Sequence, residues 1–149
     1  MQSQRQNIKH ATIQHFREVA EAKGYQCVYG QGKHNRMGVT GDHTDFQFGD
    51  LRVETSVLTL VVEVESAGGI TNLAKYWYYL STNVPPKPII LFHIFRQSSL
   101  RDYASHLALW DFLAAEMHKS VGQRIQAMRL TYRTLEELEI AVKRFGEFL

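Results

Sequence analysis

The chain has 149 residues, which suits a single domain with a hydrophobic core of its own. Apolar residues make up 44% and charged residues 21%, as in ordinary globular proteins, and the net charge of +2 provides no overall basic field for nucleic acid. The lone cysteine, Cys27, excludes an internal disulfide and any multi-cysteine metal site. No apolar run is long enough to span a bilayer, and the polar start lacks a signal-peptide core, so we expect a cytoplasmic protein without a membrane partner.

The first half of the chain predicts one helix followed by strands. Apolar residues at spacings of three and four predict a helix from Gln6 to Lys23. The strand YQCVYG and a glycine-rich basic loop, GQGKHNRMG, come next. Two long stretches, TDFQFGDLRV and VLTLVVEVES, then predict a hairpin with its turn near ETS.

The second half predicts an alternation of helices and strands. The proline-rich VPPKP separates a helix from a strand whose continuous apolar run indicates burial on both faces. Ser99 with Asp102, and Thr134 with Glu137, have the spacing of helix-capping pairs. The predicted elements are the helix ITNLAKYWYYL, the strand IILFHIF, a helix from about Leu100 to Lys119, the strand RIQAMRLTY and the helix TLEELEIAVKRFGEFL.

The order of elements is therefore α-β-β-β-α-β followed by α-β-α. It predicts an α/β fold with a mixed β-sheet flanked by helices. Because the sequence contains no repeat, low-complexity segment or linker, we treat residues 1–149 as one domain.

Two glutamates lie one residue apart in the second hairpin strand. Side chains alternate along a strand, so Glu63 and Glu65 share one face and Val64 points to the other. If the hairpin turn is centred at residue 54, Asp45 lies opposite Glu63 and Phe46 lies opposite Val62. Three carboxylates gathered in this way suit a hard divalent cation, and Mg²⁺ fits best, with Mn²⁺ as an alternative. The other interpretation is a strand whose acidic face is simply solvated.

The motifs TDFQF and VEVES, in this order of elements, resemble the PD-(D/E)XK nuclease superfamily, the restriction-endonuclease-like fold. TDFQF is similar to its aspartate motif, and VEVES to its E-x-(K/E) motif with glutamate where lysine is commoner. The resemblance covers roughly residues 6 to 95. It implies a Mg²⁺-dependent nuclease that hydrolyses phosphodiester bonds, with DNA as the expected partner and a homodimer as an open alternative.

The resemblance also implies roles for individual residues. Asp45 and Glu63 would be the metal ligands, helped by the backbone carbonyl of Val64. Glu65 would orient or deprotonate the attacking water. Asn72 and Tyr76, four residues apart, are similar to the Q-x-x-x-Y element of some exonuclease-like members and would contact nucleic acid.

Several assignments have alternatives. Asp50 competes with Asp45 for the aspartate role, because a bulge at Gly49 would turn it towards Glu63. Lys75 could replace the missing motif lysine, although its helical position favours a solvated side chain. His93 is expected to be a satisfied core histidine. The first-helix acid of the superfamily has no obvious match, and the candidates near its place are Gln14, His15, Glu18 and Glu21.

Lys33, His34 and Arg36 form a basic cluster in the glycine-rich loop. Cations on such a loop can contact phosphates, so we predict that these three residues bind nucleic acid. The alternative is a solvated connection of no special role. For the whole chain, the alternative to a nuclease is a catalytically inactive module that keeps the fold and binds nucleic acid or a protein partner.

Overall fold

The computed structural model describes residues 4–41, 44–65, 70–97 and 104–149, and within them it has four helices and seven strands. Two short 3₁₀ turns cover Lys33–Asn35 and Gly122–Arg124. The helices are α1 (Gln4–Ala22), α2 (Ile70–Thr82), α3 (Ala104–Val121) and α4 (Leu135–Gly146). The strands are β1 (Cys27–Tyr29), β2 (Arg36–Gly38), β3 (Asp45–Gln47), β4 (Leu51–Glu54), β5 (Thr59–Glu65), β6 (Ile89–Arg96) and β7 (Ile125–Tyr132).

Five of these strands form one mixed sheet, in the order β1-β4-β5-β6-β7. Strands β1, β4 and β5 pair antiparallel, whereas β5, β6 and β7 pair parallel. Strands β2 and β3 form a separate two-stranded ribbon. The predicted α/β fold with a mixed sheet is therefore confirmed.

Helices cover both faces of the large sheet. On one face Phe16 of α1 and Phe92 of β6 both pack against Phe145 of α4. On the other face Leu73 of α2 and Trp110 of α3 belong to a second core. Burial on both sides explains the continuous apolar run of β6, which lies inside the sheet between β5 and β7. None of the described helices combines the length and apolar composition that a bilayer crossing requires.

Most of the predicted helices and strands are present, and two predicted helix boundaries are confirmed. Gly24 ends α1 with a φ of 85°, a left-handed conformation that favours glycine. The Thr134 hydroxyl accepts a hydrogen bond from the Glu137 N–H at 3.2 Å and thereby caps α4. The Ser99–Asp102 pair lies outside the described residues.

The predicted strand TDFQFGDLRV is wrong as a single element, and so is its register. It divides at Gly49 into β3 and β4, and only β4 pairs with β5. Val62 lies opposite Leu51, not opposite Phe46. The reason is the turn, in which the Thr55 hydroxyl accepts hydrogen bonds from the N–H groups of Val57 and Leu58, so the chain reverses later than residue 54.

Candidate functional site

Three carboxylates meet at the end of β5, and they are called the acid cluster here: Asp50, Glu63 and Glu65. Asp50 immediately precedes β4, and its N–H donates to the carbonyl of Val62 at 2.9 Å. Its carboxylate Oδ2 accepts a hydrogen bond from the N–H of Val64 at 2.8 Å. Because Val64 separates the two glutamates, this second bond attaches the aspartate directly to the E-x-E segment.

Gly49 makes this attachment geometrically feasible. Its φ is 82°, and a Cβ at this position would lie 2.5 Å from Cγ1 of Val61. Both the left-handed backbone and the close approach therefore require glycine. The irregularity expected at Gly49 is present, and it turns Asp50, not Asp45, towards Glu63. The Asn35 amide fixes the bend further by donating to the carbonyl of Gly49 at 3.0 Å.

Asp45 lies elsewhere, so its predicted position opposite Glu63 is wrong. It belongs to the β2–β3 ribbon, where it pairs with Gly38. Its carboxylate is 55% exposed and forms an ion pair with Arg36 at 2.7 Å. Asp45, the predicted metal ligand, and Arg36, a predicted nucleic-acid contact, thus neutralise each other on the surface. The other two residues of the basic cluster, Lys33 and His34, are exposed on the preceding 3₁₀ turn.

Glu63 is buried, with 2% of its surface exposed, so the interpretation of a solvated acidic face is wrong. Its Oε1 accepts hydrogen bonds from the Tyr76 hydroxyl at 2.7 Å and from Nζ of Lys75 at 2.6 Å. Burial raises the pKa of Glu63 from its ordinary 4.5 to about 7, the charge of Asp50 raises it too, and Lys75 and Tyr76 oppose the rise. Glu63 is therefore an acid that changes its protonation near neutral pH.

Lys75 is a correction to the sequence interpretation. Its helical position favoured a solvated side chain, yet this side chain is only 10% exposed and forms an ion pair with Glu63. The long, flexible stem of a lysine reaches around the helix further than the direction of its Cβ suggests. Lys75 thus places an ammonium group from α2 next to the E-x-E segment.

Glu65 is held by side chains from two further elements. The Asn72 amide of α2 donates to Oε1 of Glu65, and Nε2 of His93 lies 3.3 Å from the same oxygen. Burial acts to raise the pKa of Glu65, but the hydrogen bonds from His93 and Asn72 outweigh it and lower the pKa. Glu65 is consequently ionised at neutral pH, in contrast to its neighbour Glu63.

Helix α1 adds a cation to the acid cluster. Nζ of Lys9 lies 3.0 Å from Oδ1 of Asp50. Partial burial acts to lower the pKa of Lys9, but the charge and hydrogen bond of Asp50, with smaller effects from both glutamates, raise it overall. The first-helix residue that reaches the site is therefore a lysine, and sequence reasoning missed it because it looked for an acid.

Tyr76 and Asn72 support the acids from α2. Tyr76 has no exposed surface, and its hydroxyl is used by Glu63. Asn72 is half-buried against Glu65. Both residues thus lie at the site, as their spacing indicated, although their observed contacts are with carboxylates. Their predicted contacts with nucleic acid remain predictions.

The donor chemistry of the acid cluster suits a hard cation. Within the described ranges, no three His, Cys, Asp or Glu side chains are arranged to hold a metal as they stand. Mg²⁺ needs fewer, because it uses one or two protein carboxylates and keeps several waters. Asp50 and Glu63 supply two, and their repulsion contributes to the raised pKa of Glu63, so a divalent cation would find negative charge there to neutralise. No protein-family model, curated protein or solved structure matches this chain.

Proposed function

We propose that the chain is a Mg²⁺-dependent nuclease domain of the PD-(D/E)XK type that hydrolyses phosphodiester bonds in DNA. One observation carries this proposal, namely the hydrogen bond of the Asp50 carboxylate with the N–H of Val64, between Glu63 and Glu65. It brings an aspartate that immediately precedes β4 to an E-x-E segment at the end of β5, which is the arrangement that the motifs imply. In this proposal Asp50 replaces Asp45 as the motif aspartate.

Asp50 and Glu63, with the backbone carbonyl of Val64, would hold Mg²⁺ or Mn²⁺. When bound, such an ion supplies a polarised phosphate oxygen and a more acidic water. The chain itself supplies the base. Glu65 is ionised because its pKa is lowered, so it can accept the proton of the attacking water. The water oxygen forms a bond to phosphorus while the bond to the leaving oxygen breaks, and the leaving oxygen takes a proton from solvent.

The surrounding side chains hold the reacting groups in place and balance their charge. Tyr76 and Lys75 fix Glu63 through its Oε1, and His93 and Asn72 fix Glu65. Lys9 neutralises Asp50 in the free protein. In the proposed complex, Lys9 and Lys75 counter the charge of the phosphate, which three carboxylates alone would repel.

A pair of matched variants tests the assignment. Asp50→Asn and Asp45→Asn remove the same charge, but only Asp50 touches the E-x-E segment. With purified protein on plasmid and linear DNA, we expect Mg²⁺-dependent cleavage by the wild type and by Asp45→Asn, and none by Asp50→Asn or Glu63→Gln. Full cleavage by Asp50→Asn, or no cleavage by the wild type under any divalent cation, would refute the proposal.

The catalytically inactive module is the second candidate, and the two lysines favour it. Lys9 and Lys75 already form ion pairs with Asp50 and Glu63 in the structure. Such pairs could make the acids permanent structural groups with no need of a metal. Calorimetric titration with Mg²⁺ and Mn²⁺ separates the candidates: a nuclease binds the ion and loses binding in Asp50→Asn, whereas an inactive module shows no heat above dilution.

A further inference from the structure

Beside the acid cluster the structure has a cleft of about 580 Å³, which the sequence did not indicate. One wall is a stripe of α1 at helical spacings of three and four. The opposite wall comes from the end of β1 and the loop after it, and Asp50 lies where the cleft meets the acid cluster. The lining residues are Gln6, Lys9, His10, Ile13, Gln14, Arg17, Tyr29, Gly30, Gln31, Gln47 and Asp50.

The chemistry of this lining suits an unpaired nucleic-acid strand. Lys9 and Arg17 are the cations of the lining, and Asp50 is the one carboxylate among the residues that the structure places there. Lys9 pairs with Asp50 at 3.0 Å, and Arg17 pairs with Glu21 of the same helix at 3.0 Å. The Arg17–Glu21 pair is a surface pair between residues four apart, which contributes little, so a phosphate can compete for Arg17. Four glutamine amides can donate to phosphate oxygens and to the edges of unpaired bases.

An exposed aromatic ring adds a stacking surface. Tyr29 is 45% exposed, and the Arg17 guanidinium lies 4.3 Å from the centre of its ring. Aromatic rings next to cations are the usual platform for bases of single strands, because every base has a π-face. The bases of a duplex are already stacked on each other and cannot use such a platform without unpairing.

The size of the cleft also favours a single strand over a duplex. Its volume is in the range of sites for small molecules and cofactors, which fits one or two nucleotides and not a duplex segment. We therefore propose that this cleft binds one or two nucleotides of a single-stranded nucleic acid next to the acid cluster, with Tyr29 stacking on a base and Arg17 contacting a phosphate. The inference rests on the proposed function in one respect, that the bound strand is the one to be cut.

The test is a binding measurement without metal, so that it does not depend on cleavage. Fluorescence anisotropy with labelled oligothymidylate, oligouridylate and a blunt DNA duplex of equal length compares the wild type with Arg17→Gln/Tyr29→Leu. The matched control is Lys143→Gln/Tyr78→Leu, which removes an exposed lysine and a tyrosine that is also 45% exposed, both away from the cleft. Circular dichroism confirms that both variants are folded.

We expect the wild type to bind a single strand more tightly than the duplex. The cleft variant should lose at least roughly tenfold in single-strand affinity, and its salt slope should fall by about 0.7 for one lost phosphate contact. Preference for thymidylate or for uridylate identifies which of the two strands the cleft accepts, and either supports the proposal. Equal losses in the two variants, or a wild type that prefers the duplex, would overturn it. A wild type that binds through the cleft but never cleaves refutes the proposed nuclease and leaves the cleft assignment intact.

Discussion

The indole N–H of Trp110 donates to Nδ1 of His93 at 2.9 Å, and both side chains are buried. A neutral imidazole has one donor and one acceptor nitrogen, so this bond places the His93 proton on Nε2, which faces Glu65. Burial lowers the pKa of His93, although Glu65 opposes the effect, and the ring therefore stays neutral. Trp110, on α3, thus determines which hydrogen bond the glutamate of β5 receives.

Trp110→Phe removes the indole N–H that fixes the tautomer of His93, and it keeps an aromatic ring in the core. Glu65 then loses a fixed donor, and we expect kcat of the proposed DNA cleavage to fall by about tenfold or more with little change in KM. The ¹⁵N chemical shifts of His93 should show a mixture of tautomers instead of one. Trp77→Phe is the control, because Trp77 lies on α2 and is only partly buried. A single unchanged tautomer in Trp110→Phe would show that the indole does not set it.

Gly49→Ala tests the bend that positions Asp50. Alanine there meets both a φ of 82° and a contact of 2.5 Å with Val61, so we expect a loss of about 3 kcal/mol in the free energy of unfolding. Gly24→Ala has a similar φ of 85° but no atom within 4 Å of its Cβ, and should cost only about 1 kcal/mol. Urea denaturation measures both. Equal losses of unfolding free energy in Gly49→Ala and Gly24→Ala would mean that the surroundings of Gly49 move to accept a Cβ without destabilising the protein.

Much of the fold was accessible from the sequence because its signals are local. Periodicity and capping residues located the helices, and alternation placed Glu63 and Glu65 on one face of β5. The aspartate that lies next to these glutamates could not be predicted from local signals in the same way. Asp45 and Asp50 occur in one apparent strand, and the choice between them depends on the φ of a single glycine and on where a turn closes. Gly49 was the only local signal for the correct choice.

The hydrogen bonds and ion pairs around the two glutamates were even harder to predict from the sequence, because the residues that form them are far apart in the chain. Trp110 belongs to an apolar stripe that periodicity assigns to the core, and it does lie in the core. Spacing cannot indicate that its N–H meets His93, because the two residues are 17 apart in the sequence and lie on different elements, α3 and β6. Lys9 was missed for a different reason, since the charge expected at the first helix had the opposite sign.

The raised pKa of Glu63 predicts an unusual pH dependence of stability in the metal-free protein. Between its ordinary 4.5 and about 7, the folded protein keeps a proton that the unfolded chain has lost. The contribution of this proton to stability is therefore fully present below pH 4.5 and is lost as the pH rises through 7. The loss amounts to about 3 kcal/mol at pH 8.5, from the difference between the two pKa values.

Glu63→Gln removes this titration and keeps a similar shape. Urea denaturation in EDTA at pH 5 and at pH 8.5 should show a smaller decrease in stability for the variant than for the wild type, by about 2 to 3 kcal/mol, because part of the loss has already occurred at pH 5. Glu65→Gln is the contrasting control, since the pKa of Glu65 is lowered and its ionised form is stabilised by folding. An identical pH dependence in wild type and Glu63→Gln would show that Glu63 is ionised throughout this range.

Helical spacing predicts a solvated Lys75, whereas the structure pairs it with Glu63. Replacing Lys75 shows which of the two descriptions is correct. In the structure its ammonium group pairs with Glu63 while both side chains are nearly buried, so Lys75→Met leaves an uncompensated carboxylate. We expect a loss of about 3 kcal/mol in the free energy of unfolding at pH 8.5, where Glu63 is ionised, and a much smaller loss at pH 5, where it is protonated.

A double mutant and a matched control test this explanation of the Lys75→Met loss. Adding Glu63→Gln to Lys75→Met should recover most of the loss at pH 8.5, because the double mutant lacks both charges. Lys143→Met, at an exposed position of α4, is the matched control and should change stability little at either pH. If Lys75→Met behaves like this control, Lys75 is solvated, as its helical position indicated, and Glu63 must obtain its counter-charge elsewhere.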